Sequence, residues 1–342
     1  MNRAHRVALI LPLAITVAGS LAGQTRPPLP EDDLPEGLFS HAMPLGLPAH
    51  MPAPDDNPFE EPAFRLGRRL FFDPILSADR TVSCASCHEP DHGFSSPQAL
   101  PLGVFGRRAI RHSPTLLNRA FGSRQRWDGA TPTLEEQVIL PISDPNEMDL
   151  ALADAVARLE ADPSYQAGFQ EAFKEPPGER TLARALSTFV RGLVSGDTPV
   201  DHFQAGNSSA LTPDEKAGLW IYESKGQCWA CHSGPNFTNE ELHNTGVGLG
   251  IDGAQAGINP QAHRFKTPTL RRLLDTAPYM HDGSMKTLEE VVEFYAKGGQ
   301  HNPGLDRRIR PLELSESDRK HLVAFLRALS RRHSGGPAGR AR

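Results

Sequence analysis

The chain is poor in cysteine, with four in 342 residues, too few for a scaffold built from disulfides. It also lacks a run of about 20 apolar residues, the length that spans a bilayer; the stretch Val7 to Ala18 is shorter and nothing later approaches it. Charge of one sign is missing too: 36 Lys and Arg face 41 Asp and Glu, a formal net charge of -5. That balance excludes a basic nucleic-acid binder and gives no attraction to an acidic membrane surface. Alternating apolar and polar runs are scarce, which argues against a sheet protein and for an all-α fold.

All four cysteines fall in two C-x-x-C-H units, Cys84-Ala-Ser-Cys87-His88 and Cys228-Trp-Ala-Cys231-His232. This spacing is the signature of c-type haem attachment. Two thiols three positions apart can each add to one vinyl group of a porphyrin, and the next histidine reaches the iron. A zinc site is the first alternative, but its second pair normally follows within about 15 to 20 residues. Structural disulfides or thiol redox chemistry are the other, although a histidine after both pairs favours haem. Two haems imply an electron-transfer or peroxide enzyme.

The N-terminus reads as a secretory signal peptide over residues 1–23: Arg3 and Arg6, then the apolar run, then small residues through Ala22 and Gly23. Export suits covalent haem attachment and places the protein in the periplasm. Residues 24–57 are rich in Pro and acidic groups and are expected to form an extended lead-in. The length then allows two domains, 58–200 and 201–330, each with one haem, before a Gly- and Arg-rich tail at 331–342. Leu182, Leu186, Phe189, Val190 and Leu193 form one apolar stripe at helical spacing, and Leu322, Phe325, Leu326 and Leu329 another; both read as core.

A repeat links the two halves. Pro114-Thr115-Leu116, Trp127-Asp128-Gly129 and Thr133-Leu134-Glu135-Glu136 recur as Pro268-Thr269-Leu270, His281-Asp282-Gly283 and Thr287-Leu288-Glu289-Glu290, every member displaced by 154 positions. One half can therefore be read against the other. In the second, a capped helix ending at Gly298 puts Leu288, Val291, Val292 and Tyr295 on one inward face. A phenolate is a haem ligand, and the first-half equivalent of Tyr295 is Pro141, which has no donor atom. Haem 2 is thus expected to have two protein ligands, His232 and Tyr295, and haem 1 only His88. Met280 competes with Tyr295, and a core tyrosine is the bland alternative. An open iron binds peroxide, and cleaving its O–O bond needs a proton carrier; Asp144 and Glu147 both follow Pro141, and spacing does not choose between them.

The two haem motifs, Phe71-Phe72-Asp73-Pro74, the P-T-L repeats, Trp127-Asp128-Gly129 and Pro278-Tyr279-Met280-His281-Asp282-Gly283 occur in one order. From Pro58 to Leu329 the chain resembles the bacterial dihaem cytochrome c peroxidase and MauG family. The resemblance implies two cytochrome c-like all-helical domains whose haems face a shared interface. By motif it implies Trp127 as the electron relay between the haems, Gln137 beside it, Pro141 over the open haem face and Glu147 as the distal acid-base group, leaving Asp144 as a surface acid. It implies His281 near the second haem, and Thr276 and Pro278 offering carbonyls to one Ca²⁺ between the domains.

Two departures from the family pattern stand out. His112 replaces an asparagine of the calcium site and is a poorer partner for a hard cation. No histidine stands at Leu102-Gly103-Val104-Phe105, where the resting peroxidase has a removable haem ligand, and His92 and His112 read as surface or supporting residues. Both departures, with Tyr295, point towards MauG. The expected function is reduction of hydrogen peroxide at haem 1. Electrons are expected through haem 2 from a small periplasmic donor, a cytochrome c or cupredoxin; the alternatives are oxidation of a protein substrate's residues and a plain electron carrier. No nucleic acid is expected, and a homodimer is left open.

Overall fold

The computed structural model describes residues 43–248 and 263–331; the expected signal peptide, the start of the lead-in and the tail beyond Arg331 lie outside them. The first half contributes α1 (Glu61–Phe72), α2 (Cys84–Cys87), α3 (Leu134–Gln137), α4 (Leu140–Ser143), α5 (Leu152–Glu160), α6 (Pro163–Phe173) and α7 (Glu179–Arg191). The second contributes α8 (Pro199–Gln204), α9 (Pro213–Glu223), α10 (Leu288–Ala296) and α11 (Glu316–Ala328). Extended structure in regular pairing amounts to β1 (Leu242–His243) and β2 (Phe265–Lys266), joined antiparallel with His243 opposite Phe265. The fold is helical, as the scarcity of alternating runs requires. No helix of the described residues is long and apolar enough to cross a membrane.

Both apolar stripes are buried, and each builds its own core. In the first half Leu182, Leu186 and Phe189 of α7 meet Phe64, Leu70 and Phe71 of α1, with the Phe71 and Phe189 rings 4.8 Å apart. In the second, Leu322, Phe325 and Leu326 of α11 meet Ile221 and Tyr222 of α9, with Tyr222 and Phe325 4.9 Å apart. A glycine sets each helix pair's closeness. A Cβ on Gly67 of α1 would stand 1.9 Å from the Ala185 carbonyl oxygen, and one on Gly218 of α9 2.0 Å from that of His321. Residues 43–57 carry no helix or strand but are anchored: buried Asn57 donates to Glu135 (2.7 Å) and Ser187 (3.0 Å), and the Gly46 carbonyl accepts from Arg271.

The repeat in the sequence is a repeat in the fold. The isolated bridge Gln125–Thr131 of the first half recurs at the equivalent pair Tyr279–Met285. The seam between the halves is reciprocal. The His112 amide donates to the His281 carbonyl (2.8 Å), and the Lys266 amide donates to the Trp127 carbonyl (2.6 Å). These four positions are register equivalents, so the halves face each other across a local pseudo-twofold relation.

The copies part at one helix. In the second half Thr287 and Glu290 form a capping box and α10 runs on to Ala296. In the first, the Thr133 hydroxyl accepts from the Glu136 amide without a return bond to Glu136 among the described residues, and α3 ends at Gln137. Pro141 four residues on has no N–H to donate to the Gln137 carbonyl, and its ring clashes there.

The glycine contacts generate a test of packing. Gly67→Ala and Gly218→Ala should each lose about 1–3 kcal/mol of stability, the scale of an overpacked core. Gly178→Ala, where the nearest atom lies at an ordinary 3.7 Å, should stay within about 0.5 kcal/mol. Denaturant unfolding of the three variants makes the comparison.

Candidate functional site: a cavity shared by two C-x-x-C-H motifs

One cavity of about 470 Å³ is lined by Cys84, Cys87 and His88 of the first motif and by Cys228, Cys231 and His232 of the second. The first motif sits on α2, whose start is fixed by a capping box between Ser83 and Ser86. One helical turn then puts both sulfurs on one side. The second motif is a 3₁₀ turn entered through Gln227 in the left-handed region. All four cysteines are unpaired. Burial pushes the thiols of Cys84, Cys87 and Cys228 up to about 12, so they are held as thiols. Among the described residues no group of three or more His, Cys, Asp and Glu is placed to hold a metal ion.

The two imidazoles are set alike. Nδ1 of His88 lies 3.0 Å from the Phe94 carbonyl oxygen, and Nδ1 of His232 lies 3.1 Å from that of Phe237. A carbonyl only accepts, so Nδ1 carries the hydrogen in both and Nε2 carries the lone pair. Burial pushes both rings down to about 4, against their carbonyl partners, which keeps them neutral and ready to ligate at pH 7. The second half offers a further buried nitrogen on the same wall. Nδ1 of His243 is 2.8 Å from Asp306, and its Nε2 has no hydrogen-bond partner. An apolar cavity with paired thiols, neutral imidazoles and an orphaned polar atom fits a haem at each motif.

Each remaining site residue has a definite place. Trp127 is half-buried in the seam, its indole N–H donating to the His112 carbonyl at 2.7 Å and its ring edge-on to His281 at 6.4 Å. His281 is stacked on Phe265 at 3.6 Å. Gln137 accepts from the Thr131 hydroxyl at 2.9 Å. Pro141, Glu147 and Tyr295 all line the cavity, and so does Met280, with φ 74°. Burial, then the neighbouring Asp144 charge, pushes Glu147 up to about 7. Burial pushes Tyr295 up to about 12, against a hydrogen bond with Thr245.

One expectation needs adjustment. Asp144, read as a surface acid, lines the cavity with Glu147, because the Met148 amide returns to the Pro141 carbonyl and folds the segment back. Of the two readings for His112, surface or supporting, the structure has the second: it is buried, with Nδ1 donating to the Gln98 and Ala99 carbonyls at 3.0 and 3.2 Å. His92 is partly exposed, 3.2 Å from Glu89. Thr276 and Pro278, whose carbonyls the resemblance offers to a calcium ion, line the cavity. A buried trio, Arg119, Glu240 and Lys266, also belongs to this region and has no motif of its own. Its one signal is Lys266, two residues before the second P-T-L and in register with His112.

The family model described as di-haem cytochrome c peroxidase matches residues 61–209. The chain is 41% identical over 290 residues to methylamine utilization protein MauG of Methylorubrum extorquens, 82% of each chain being covered. It is 35% identical over 299 residues to cytochrome-c peroxidase IdrP2 of Denitromonas iodatirespirans, covering 78% of this chain and 80% of that one. Its fold matches the crystal structure of a MauG-like protein associated with microbial copper homeostasis, with a TM-score of 0.74, 31% identity and coverage of 87% and 94%. By sequence, fold and motif order together, the chain belongs to the dihaem cytochrome c peroxidase and MauG family of peroxide-using oxidoreductases.

Proposed function

We propose that the chain is a periplasmic peroxidase with one covalent haem c in each half, reducing hydrogen peroxide at the first. Electrons arrive through the second haem from a small redox protein, a cytochrome c or a cupredoxin. The observation that carries this reading is the difference between positions 141 and 295. They are register equivalents and both are on the cavity wall, yet one is a proline and the other a phenol.

When bound, the haems supply two redox-active irons and, at the first, a free coordination position for the oxidant. His88 and His232 would hold the irons through Nε2, oriented by the Phe94 and Phe237 carbonyls. Pro141 has no donor atom to offer, whereas Tyr295 would hold the second iron as a phenolate, its proton passing to solvent. Glu147 takes a proton from one peroxide oxygen and returns it to the other, so that the O–O bond breaks with water leaving. Two electrons and two further protons complete the second water. Gln137, fixed by Thr131, borders the same space. Trp127 bridges the halves between the two centres.

A second reading has its own support. Tyr295 offers an anionic oxygen, which favours the higher oxidation states of iron, and the relative at 41% identity is a MauG. In that reading the electrons come from tryptophan or tyrosine residues of a protein substrate. Steady-state peroxide turnover with reduced cytochrome c selects the first reading, and oxidation of a partner protein's side chains selects the second.

Glu147 must be ionised to accept the proton. With its carboxyl at about 7 instead of the ordinary 4.5, the rate of the peroxide reaction should rise as pH climbs through neutrality and level off above it. Stopped-flow measurement across pH should show this step. Glu147→Gln should abolish it and slow the reaction by roughly 10²- to 10⁴-fold at unchanged haem content; an unchanged rate removes Glu147 from the mechanism.

The coordination asymmetry is read directly by electron paramagnetic resonance. The resting protein should give one high-spin and one low-spin ferric signal. Tyr295→Phe should convert the low-spin signal to high spin, and an unaltered spectrum would assign the ligand elsewhere, with Met280 next in line.

A further inference from the structure

Glu240 is a buried carboxylate at the seam with two cations on it. Arg119 of the first half donates to it at 2.7 Å and Lys266 of β2 at 3.3 Å, while the amides of Ser123 and Arg124 donate at 2.8 and 3.3 Å. The three side chains are 7%, 9% and 9% exposed. Two positive groups against one negative leave a net positive charge out of water, a situation costing several kcal/mol per ion when uncompensated.

The deficit sits on Lys266. Arg119 is well supplied, with Nε on Gln125 at 2.9 Å and Nη2 on the Arg124 carbonyl at 2.6 Å. An ammonium has three N–H donors, and Lys266 uses one, in a long bond to Glu240; among the described residues nothing takes the other two. Both cations line the cavity that the two haem motifs share. Burial first, and then the Arg119 charge, push Lys266 down to about 8, which leaves it mostly charged at neutral pH and short of an anion. His112, at the same register in the first half, has its Nδ1–H on the Gln98 and Ala99 carbonyls.

We infer that Lys266, backed by Arg119, binds a carboxylate that one of the two haems carries into the cavity beside Trp127, which compensates the excess positive charge. The Lys266 amide is already bonded to the Trp127 carbonyl at 2.6 Å. A cation next to an iron centre disfavours its ferric state, so the pair also raises that haem's reduction potential. The inference rests on the haem reading above.

Potentiometric titration of the holoprotein tests it. Lys266→Met should lower the midpoint potential of one haem, Lys266→Arg should leave it near wild type, and Glu240→Gln should raise it, since that change deletes a negative charge. A purely structural cluster gives no such pair of opposite shifts. Potentials that stay put, or move the same way in Lys266→Met and Glu240→Gln, overturn the inference. If Lys266→Met does not fold or load, Lys266→Arg and Glu240→Gln still carry the test. A wild-type potential that depends on whether chloride or acetate is the buffer anion would assign the site to an exchangeable ion and sink the haem carboxylate. Haem content by the pyridine haemochrome assay separates the two levels of the argument. Fewer than two haems per chain removes the proposed function itself, whereas two haems with unmoved potentials remove only the role of Lys266.

Discussion

Two imidazoles tied through Nδ1 to main-chain carbonyls are the arrangement on which the site depends. Without the bonds from His88 to Phe94 and from His232 to Phe237, either ring could turn or take the other tautomer, and Nε2 would not be committed to the cavity. Both accepting residues, Phe94 and Phe237, have positive φ, 54° and 49°, a conformation that is uncommon for a bulky side chain. The helices behind them supply the rigidity that keeps such loops in place: α1 on α7 in one half and α9 on α11 in the other, each pair brought close at a glycine.

On that symmetric frame the copies part at position 141. Proline there has no polar side-chain atom, and α3 ends before it, whereas in the other copy α10 runs on to carry Tyr295. Glu147 gains its access from the same break, because the chain after Pro141 folds back and carries Asp144 and Glu147 to the cavity. Burial first, and then the neighbouring Asp144 charge, raise the cost of ionising Glu147.

Much of this was legible in the sequence, for a physical reason. The thiols and histidine of each C-x-x-C-H motif are contiguous in the chain, the helical core shows in periodicity, and the difference between the halves shows in a repeat of constant displacement. Tyr295 against Pro141 needed only that register. What escaped is what depends on residues distant in the chain. Arg119, Glu240 and Lys266 meet only because β2 lies against the Trp127 turn, and no local pattern announces it. Asp144 was misplaced because spacing places residues along the chain but does not show where it turns back. Which of the two readings of His112 holds, surface or supporting, depends on its backbone-carbonyl partners, which no sequence displays.

The seam between the halves is held at its centre by main-chain atoms of residues 112, 127, 266 and 281. A join of this kind is indifferent to which side chains those residues carry. The two copies can therefore differ in side chain at these sites and keep their grip on each other. One equivalent pair is tryptophan and histidine and the other histidine and lysine, so divergence and cohesion do not compete.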